Sequence, residues 1–276
     1  METRNTPDAA RYPRLTADEL RAGYLVQNLF QPGTVQLVYT DIDRAIIGGI
    51  VPTAQKLSLG TSKELASNFF AERREIGVIN IGGKGAITVD GKKFALAKRD
   101  CLYIGRGSKQ IEFSSANSRE PAWFYLVSYP AHAAHPTRLA TIADAEAVAL
   151  GAQRDANQRT IRKYIHGGGI PSCQLVMGFT ELKEGSIWNT MPPHTHARRS
   201  EIYLYFDVPS DAAVFHFMGG AAETRHLVVR NGEAVLSPPW SIHCGAGTRH
   251  YCFIWAMGGE NQEFTDMDQI AVDALK

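Results

Sequence analysis

Short apolar runs rich in β-branched residues recur along two stretches of the chain, residues 34–131 and 173–259. In the first stretch, the runs VQLVYTDI and RAIIGGIV are followed by two alternating runs that Asp90-Gly91 separates. Such a dipeptide between alternating runs is typical of a β-hairpin turn. The pattern therefore predicts an antiparallel sandwich or barrel over residues 34–131.

The second stretch repeats the length and rhythm of the first, which indicates an internal duplication. The segment 100–105 resembles the segment 232–237 in placement, because each follows a predicted hairpin and leads into a turn with Gly or Pro. No repeat is visible at the level of residue identity. We expect an all-β fold with two antiparallel β-barrels or jelly rolls.

The segments outside these stretches predict an N-terminal arm and a linker. Thr16 followed by Asp18 and Glu19 is a helix N-terminus signal, so we expect a short helix in the arm. Residues 132–170 are rich in Ala and polar residues and predict a linker with a helix or turn. The predicted domains are an N-terminal barrel with its arm (1–131), the linker (132–170) and a C-terminal barrel with its tail (171–276).

Composition narrows the class of protein. The 276 residues allow one large β domain or two domains of about 120–140 residues each. A net charge of +1 gives no electrostatic reason to expect a nucleic acid or an anionic membrane as partner. No apolar run approaches the roughly 18 residues of a membrane helix. Four cysteines without a C-x-x-C pair favour reduced thiols and a cytoplasmic location.

The segment from Met191 to Phe206 carries the most informative pattern. His194 and His196 are two positions apart, so on a strand their imidazoles share one face. Glu201 follows after a four-residue turn and can fold back beside the pair. His243 follows a strand and a Pro-Pro turn in the same β region. Three imidazoles and one carboxylate suit zinc, iron, manganese or nickel, with a coordination position open for water or substrate.

These motifs, H-x-H-x4-E followed by G-x5-P-x4-H, resemble the paired motifs of the cupin superfamily. Gly185 lies nine residues before His194 where the usual cupin glycine lies six before, which suggests a divergent branch. The first β region has no H-x-H, so its barrel resembles a degenerate cupin without a metal. The resemblance implies a bicupin with metal in the second barrel alone.

Longer stretches resemble the 5-keto-4-deoxyuronate isomerase family, also called 4-deoxy-L-threo-5-hexosulose-uronate ketol-isomerases. These stretches include REIGVINIGGKGAITVDG, RTIRKYIH, MPPHTHARRSEIYLYF and PPWSIHCGAGT. The resemblance implies a cytoplasmic homohexameric enzyme of pectin and uronate degradation with one Zn²⁺ per chain. It would convert the uronate to 3-deoxy-D-glycero-2,5-hexodiulosonate. The family's zinc ligands map onto the same residues that spacing selects, His194, His196, Glu201 and His243.

An aldose–ketose isomerisation needs a base and, for a uronate, a cation that binds the carboxylate. We expect Lys163 and His166 as catalytic candidates, because they lie in a short basic segment before the second barrel. Arg162, Arg199 and Tyr203 are the candidates for substrate binding. Arg198 lies in the same turn as Arg199.

Three other functions stay open at this point. The related 5-deoxyglucuronate isomerase of inositol catabolism would share the bicupin plan and the reaction type. A cupin dioxygenase would hold iron and consume oxygen. A non-catalytic sugar-binding cupin would use the barrel without turnover. No G-x-G-x-x-G fingerprint follows a strand and opens a helix, which argues against hydride transfer to a dinucleotide.

Overall fold

Strands dominate the chain, in a computed structural model that describes residues 1–276. The strands up to residue 140 are β1 (Glu2–Arg4), β2 (Leu25–Val26), β3 (Val35–Thr40), β4 (Ile46–Ile50), β5 (Leu57–Ser58), β6 (Arg74–Asn80), β7 (Gly85–Val89), β8 (Lys92–Leu96), β9 (Cys101–Ile104), β10 (Ile111–Ser115), β11 (Phe124–Pro130) and β12 (Arg138–Ala140). The later strands are β13 (Glu146–Leu150), β14 (Arg159–Ile165), β15 (Val176–Leu182), β16 (Trp188–Asn189), β17 (His194–Thr195), β18 (Arg199–Phe206), β19 (Val214–Gly220), β20 (Glu223–Val229), β21 (Ala234–Ser237), β22 (Ile242–Gly247), β23 (Cys252–Gly259) and β24 (Asp268–Gln269). The all-β prediction is confirmed.

The predicted helix is present as α1 (Ala17–Tyr24). Thr16 accepts a hydrogen bond from the amide of Glu19, and the Glu19 carboxylate accepts one from the amide of Thr16, which completes a capping box. The remaining helical segments are single 3₁₀ turns at Tyr12–Arg14, Ile42–Arg44, Lys63–Leu65, Gln153–Asp155 and Val272–Ala274. None of the helices has the length and apolarity needed to cross a bilayer.

The chain divides into two compact units. The first unit comprises Met1–Arg4, Asn28–Ala145 and Tyr164–Val176, and the second comprises Asn5–Gln27, Glu146–Lys163 and Met177–Lys276. This division differs from the predicted boundaries at the arm and at the linker. Segment 132–170 contains the strands β12, β13 and β14 and the 3₁₀ turn Gln153–Asp155, and its residues belong to both units.

The first unit contains two sheets. One has seven strands in the order β1-β3-β4-β11-β6-β9-β12, and the other has four strands in the order β5-β10-β7-β8. Apolar side chains from both sheets form one buried cluster that includes Ile76, Ile87, Phe113, Phe124 and Leu126. This cluster forms the apolar core of the first unit.

The second unit has the same plan, with sheets in the orders β13-β14-β15-β23-β18-β21-β2 and β16-β22-β19-β20. Strand β21 occupies the place of β9, which matches the correspondence between segments 100–105 and 232–237. The edge strand β2 comes from the N-terminal arm and pairs with β21. Tyr12 and Tyr24 pack near the Trp240 ring, so the arm is anchored in the second unit.

Candidate metal centre and adjoining cavity

Four side chains of the second unit lie close together. His194 lies on β17, His196 lies in the turn that follows, Glu201 lies on β18, and His243 lies on β22. All four are buried, and one ligand atom from each lies within 4.8 Å of the others. The structure therefore brings together the four residues that the sequence pattern selected.

The distances within this cluster suit a shared cation. His194 Nε2 lies 3.1 Å from His196 Nε2 and 3.0 Å from His243 Nε2. Glu201 Oε2 lies 3.0 Å from His196 Nε2 and 2.8 Å from His243 Nε2. Lone pairs of neutral imidazoles that face one another at this distance repel unless a positive charge lies between them. Imidazole nitrogen and carboxylate oxygen are ligands of zinc and of several other divalent metals.

The far side of the His196 ring fixes its tautomer. His196 Nδ1 lies 2.6 Å from the carbonyl oxygen of Asp266, and a carbonyl can only accept. The proton therefore resides on Nδ1, and the Nε2 lone pair faces the cluster. Hydrogen bonds of this kind hold metal-ligating imidazoles in place.

The protonation states also favour a cation. Burial lowers the pKa of His194 to about 3, so this imidazole is neutral at pH 7. Burial alone would raise the pKa of Glu201, but the interactions with His243 and His196 outweigh it and hold that pKa well below its usual range. Neutral imidazole and ionised carboxylate are the forms that bind metals.

A cavity of about 280 Å³ adjoins this cluster, within the second unit. Its apolar wall includes Phe253, Trp255, Met257, Phe264 and Met267, and its polar lining includes Arg159, Thr180, Thr190, Tyr203 and Gln269. Gly178 leaves room for Trp255, because a Cβ at this position would lie 2.4 Å from the indole ring. The cavity suits a small molecule that carries polar groups.

Tyr203 is the predicted substrate-binding residue that lines this cavity. Its hydroxyl lies 3.0 Å from Thr190 Oγ1. Burial, with a further contribution from Glu201, raises the pKa of Tyr203 well above its usual value, so the phenol stays protonated at pH 7. A neutral phenol can donate a hydrogen bond to a substrate oxygen.

Lys163 and His166, the predicted catalytic residues, are not among the lining residues of the cavity. The Lys163 ammonium lies 2.7 Å from Glu146 Oε1 and 4.7 Å from the centre of the Phe264 ring. His166 belongs to the first unit, where its Nδ1 accepts a hydrogen bond from the amide of Gly168. Arg162, on β14, is also absent from the lining.

Arg199 and Arg198 contact the C-terminal segment 260–269, not the cavity. The Arg199 guanidinium is buried and donates hydrogen bonds to the carbonyls of Glu263, Phe264 and Asp266. Arg198 Nε lies 2.7 Å and 2.8 Å from the two carboxylate oxygens of Asp266. Both Nη groups of Arg199 are therefore directed to these backbone carbonyls, and the role of Arg199 in substrate binding stays a prediction.

Sequence reasoning missed Arg159 and the C-terminal segment. Arg159 and Ile161 both line the cavity, as alternation along β14 would place them. Phe264, Met267 and Gln269 line it because β24 pairs with β17, with Gln269 opposite His194. The segment that resembled a polar tail is therefore a wall of the cavity.

Acid is expected to destabilise the protein through His216, a fully buried histidine outside the ligand set. Its Nδ1 lies 2.8 Å from the Tyr205 hydroxyl, and burial lowers its pKa from 6.5 to about 3. The unfolded chain then binds more protons, so the stability that this neutral ring contributes is present above pH 6.5 and is lost as the pH falls towards 3. We expect a loss on the order of 2 kcal/mol between pH 7 and pH 5.

Urea unfolding of the wild type and of His216→Phe at both pH values checks this expectation. The phenylalanine removes the titrating group, so the variant should show a shallower dependence of stability on pH. An identical dependence in the two proteins would contradict the assignment to His216.

The comparisons with known proteins agree with this architecture. The model of the KduI/IolB family matches residues 24–274. The chain is 51% identical to the 4-deoxy-L-threo-5-hexosulose-uronate ketol-isomerase of Shouchella clausii and 52% identical to that of Opitutus terrae, and each match covers all of both chains. These are full-length similarities.

Solved structures show the fold at lower identity. An IolB-like protein from Salmonella typhimurium aligns with a TM-score of 0.73 at 13% identity, over 90% of this chain and 96% of that one. An oxalate decarboxylase from Lactobacillus farciminis aligns with a TM-score of 0.57 at 11% identity, over 90% and 89% of the chains. The family match and the full-length relatives show that the chain belongs to the KduI/IolB family.

Proposed function

We propose that the protein is a ketol-isomerase that converts 4-deoxy-L-threo-5-hexosulose uronate to 3-deoxy-D-glycero-2,5-hexodiulosonate in the degradation of pectin and other uronates. The observation that carries this proposal is a buried three-histidine, one-glutamate cluster that borders a small polar-lined cavity. Two relatives that are 51% and 52% identical to this chain over their full length are named as this isomerase. In this reaction a proton leaves the carbon beside the aldehyde, an enediol forms, and a proton returns to the neighbouring carbon.

His194, His196, Glu201 and His243 would hold the metal, one zinc ion per chain in our proposal. A cation held there would supply positive charge beside a substrate oxygen that becomes negative during the reaction. The chain's own contribution is to hold the His194 imidazole neutral and the Glu201 carboxylate ionised, in a site that little water reaches.

Tyr203 is proposed to donate a hydrogen bond to the substrate oxygen that gains negative charge. Its phenol stays protonated, and the Thr190 hydroxyl 3.0 Å away restricts its orientation. The rings of Trp255 and Phe264 exclude water from the same cavity, which strengthens each hydrogen bond inside it. The assignment of Lys163 or His166 to proton transfer stays a prediction.

The other functions have weaker support. The IolB-like structure and the oxalate decarboxylase resemble this chain at 13% and 11% identity, which is evidence for the fold alone. The inositol-pathway isomerase therefore ranks below the uronate isomerase, and a dioxygenase or a non-catalytic sugar-binding cupin ranks lower still. The homohexamer and the cytoplasmic location stay predictions.

A coupled assay of the purified protein with the uronate, before and after treatment with a chelator, tests the proposal. We expect isomerisation by the untreated protein, loss of activity when elemental analysis shows that the metal has been removed, and recovery with Zn²⁺. Parallel incubation with 5-deoxyglucuronate separates the two isomerases. Undiminished turnover after verified metal removal, or turnover of 5-deoxyglucuronate alone, would refute the proposal.

A further inference from the structure

Arg159 provides the one lysine or arginine side chain among the residues that line the cavity beside the metal cluster. The other ionised group of the lining is Glu201, whose charge belongs to the cluster. The remaining lining residues outside the cluster are apolar or neutral. The cavity thus combines a candidate metal centre with one fixed cation.

The guanidinium of Arg159 has unused hydrogen-bonding capacity. Its Nη1 donates to the carbonyl of Asn157 at 2.9 Å, and the side chain forms no ion pair with a carboxylate of the protein. A guanidinium carries five N–H donors, so several are left for a ligand. Three of the other cations considered for this role have protein partners: Lys163 contacts Glu146, Arg198 contacts Asp266, and Arg199 contacts backbone carbonyls. The Nε of Arg162 is buried without a hydrogen-bond partner, but Arg162 is not among the lining residues of the cavity.

The surroundings of Arg159 make an anion favourable at this position. The residue is half-buried, and desolvation lowers its pKa, although the nearby phenols of Tyr203 and Tyr251 oppose that shift. A cation removed from water without a counter-charge is costly, and a bound carboxylate offsets that cost. The planar fork of arginine also matches the two oxygens of a carboxylate.

We propose that Arg159 binds the carboxylate of the uronate substrate and so directs the opposite, carbonyl-bearing end of the sugar acid to the metal cluster. The inference rests on the proposed function for the identity of the substrate. It also explains selectivity, because a neutral sugar of the same size would leave the guanidinium without its anion. Arg159 thereby takes the substrate-binding role that sequence reasoning gave to Arg162 and Arg199.

Steady-state kinetics of Arg159→Gln and Arg159→Lys test this assignment. We expect KM for the uronate to rise roughly 10- to 100-fold in Arg159→Gln, which corresponds to about 1.4–2.7 kcal/mol and is close to the range for hydrogen bonds to a charged group. The value of kcat should change less, and the metal content should not change. Arg159→Lys should recover part of the loss, because it keeps the charge without the planar fork.

Arg154→Gln is the matched control, since Arg154 is an exposed arginine nearby in the chain and is not among the lining residues. It should behave as the wild type. An unchanged KM in Arg159→Gln, or a loss of activity that follows loss of metal, would overturn the assignment.

A binding measurement keeps this test independent of the isomerase activity. Calorimetric titration with D-glucuronate and with neutral D-glucose probes carboxylate recognition directly. We expect the wild type to bind D-glucuronate more tightly than D-glucose, and Arg159→Gln to lose that preference. If this result occurs in a protein that does not isomerise the uronate, the proposed function fails and the role of Arg159 stands. If the wild type shows no preference, or the variant keeps it, the role of Arg159 is refuted whatever the reaction.

Discussion

Replacing His196 by alanine is expected to remove most of the bound metal and, with it, the isomerase activity. The imidazole contributes Nε2 to the cluster, and its Nδ1 proton is directed to the carbonyl of Asp266. The ring is almost fully buried, so solvent cannot easily supply a replacement ligand. Changing a group that merely supports a ligand costs 10- to 100-fold in metal affinity, so loss of the ligand itself should exceed about 100-fold.

Elemental analysis and activity of the purified variant provide the measurement. His250→Ala is the control, because His250 is exposed and lies seven residues after His243 without belonging to the cluster. The control should keep both metal and activity. Full metal occupancy in His196→Ala would remove this residue from the site.

The ligand cluster was predictable because its spacing is largely local. His194 and His196 are two positions apart at a short strand, and a turn returns the chain to Glu201 on the next strand. Only His243 lies far from the other ligands in the sequence, and the G-x5-P-x4-H pattern indicated it. The duplication was also visible, since similar strand rhythms give two units with matching sheet orders.

The far walls of the site depend on pairings that the sequence does not reveal. Strand β24 has two residues, Asp268 and Gln269, in a polar segment without alternation, yet it pairs with β17 and brings Phe264 and Met267 to the cavity. Strand β2 has two residues as well, and it joins a sheet whose other members lie more than a hundred residues further along the chain. Strands this short give too little periodicity to predict a partner.

Arg159 illustrates a different limit of prediction from sequence. The sequence shows that Arg159 and Arg162 lie on opposite faces of a strand, but it does not show which of them faces the cavity. Alternation places Arg159, Ile161 and Lys163 on one face of β14 and Arg162 on the other. Which face meets a cavity depends on the packing of the whole sheet. Likewise, the sequence around Arg199 does not show whether its guanidinium contacts backbone carbonyls, as it does here, or a substrate.

Replacing Arg199 by methionine is expected to weaken both folding and metal binding without a specific effect on KM. The variant keeps much of the aliphatic volume but leaves the carbonyls of Glu263 and Phe264 without this donor, and the Asp266 carbonyl with the His196 ring as its remaining donor. Partly buried acceptors that lose a charged donor cost on the order of 1–3 kcal/mol in the free energy of unfolding. Because the Asp266 carbonyl also orients His196, metal affinity should fall about 10- to 100-fold.

Denaturant unfolding, metal titration and kinetics at saturating metal separate this outcome from the role in substrate binding that the sequence suggested. Arg198→Met is the matched control, since the neighbouring guanidinium is partly exposed and pairs with the Asp266 carboxylate rather than with the backbone. Its loss of stability should be the smaller, because water can solvate the carboxylate that remains. If Arg199→Met instead raises KM while stability and metal affinity stay at wild-type values, then Arg199 contacts the substrate, and the C-terminal segment does not depend on it.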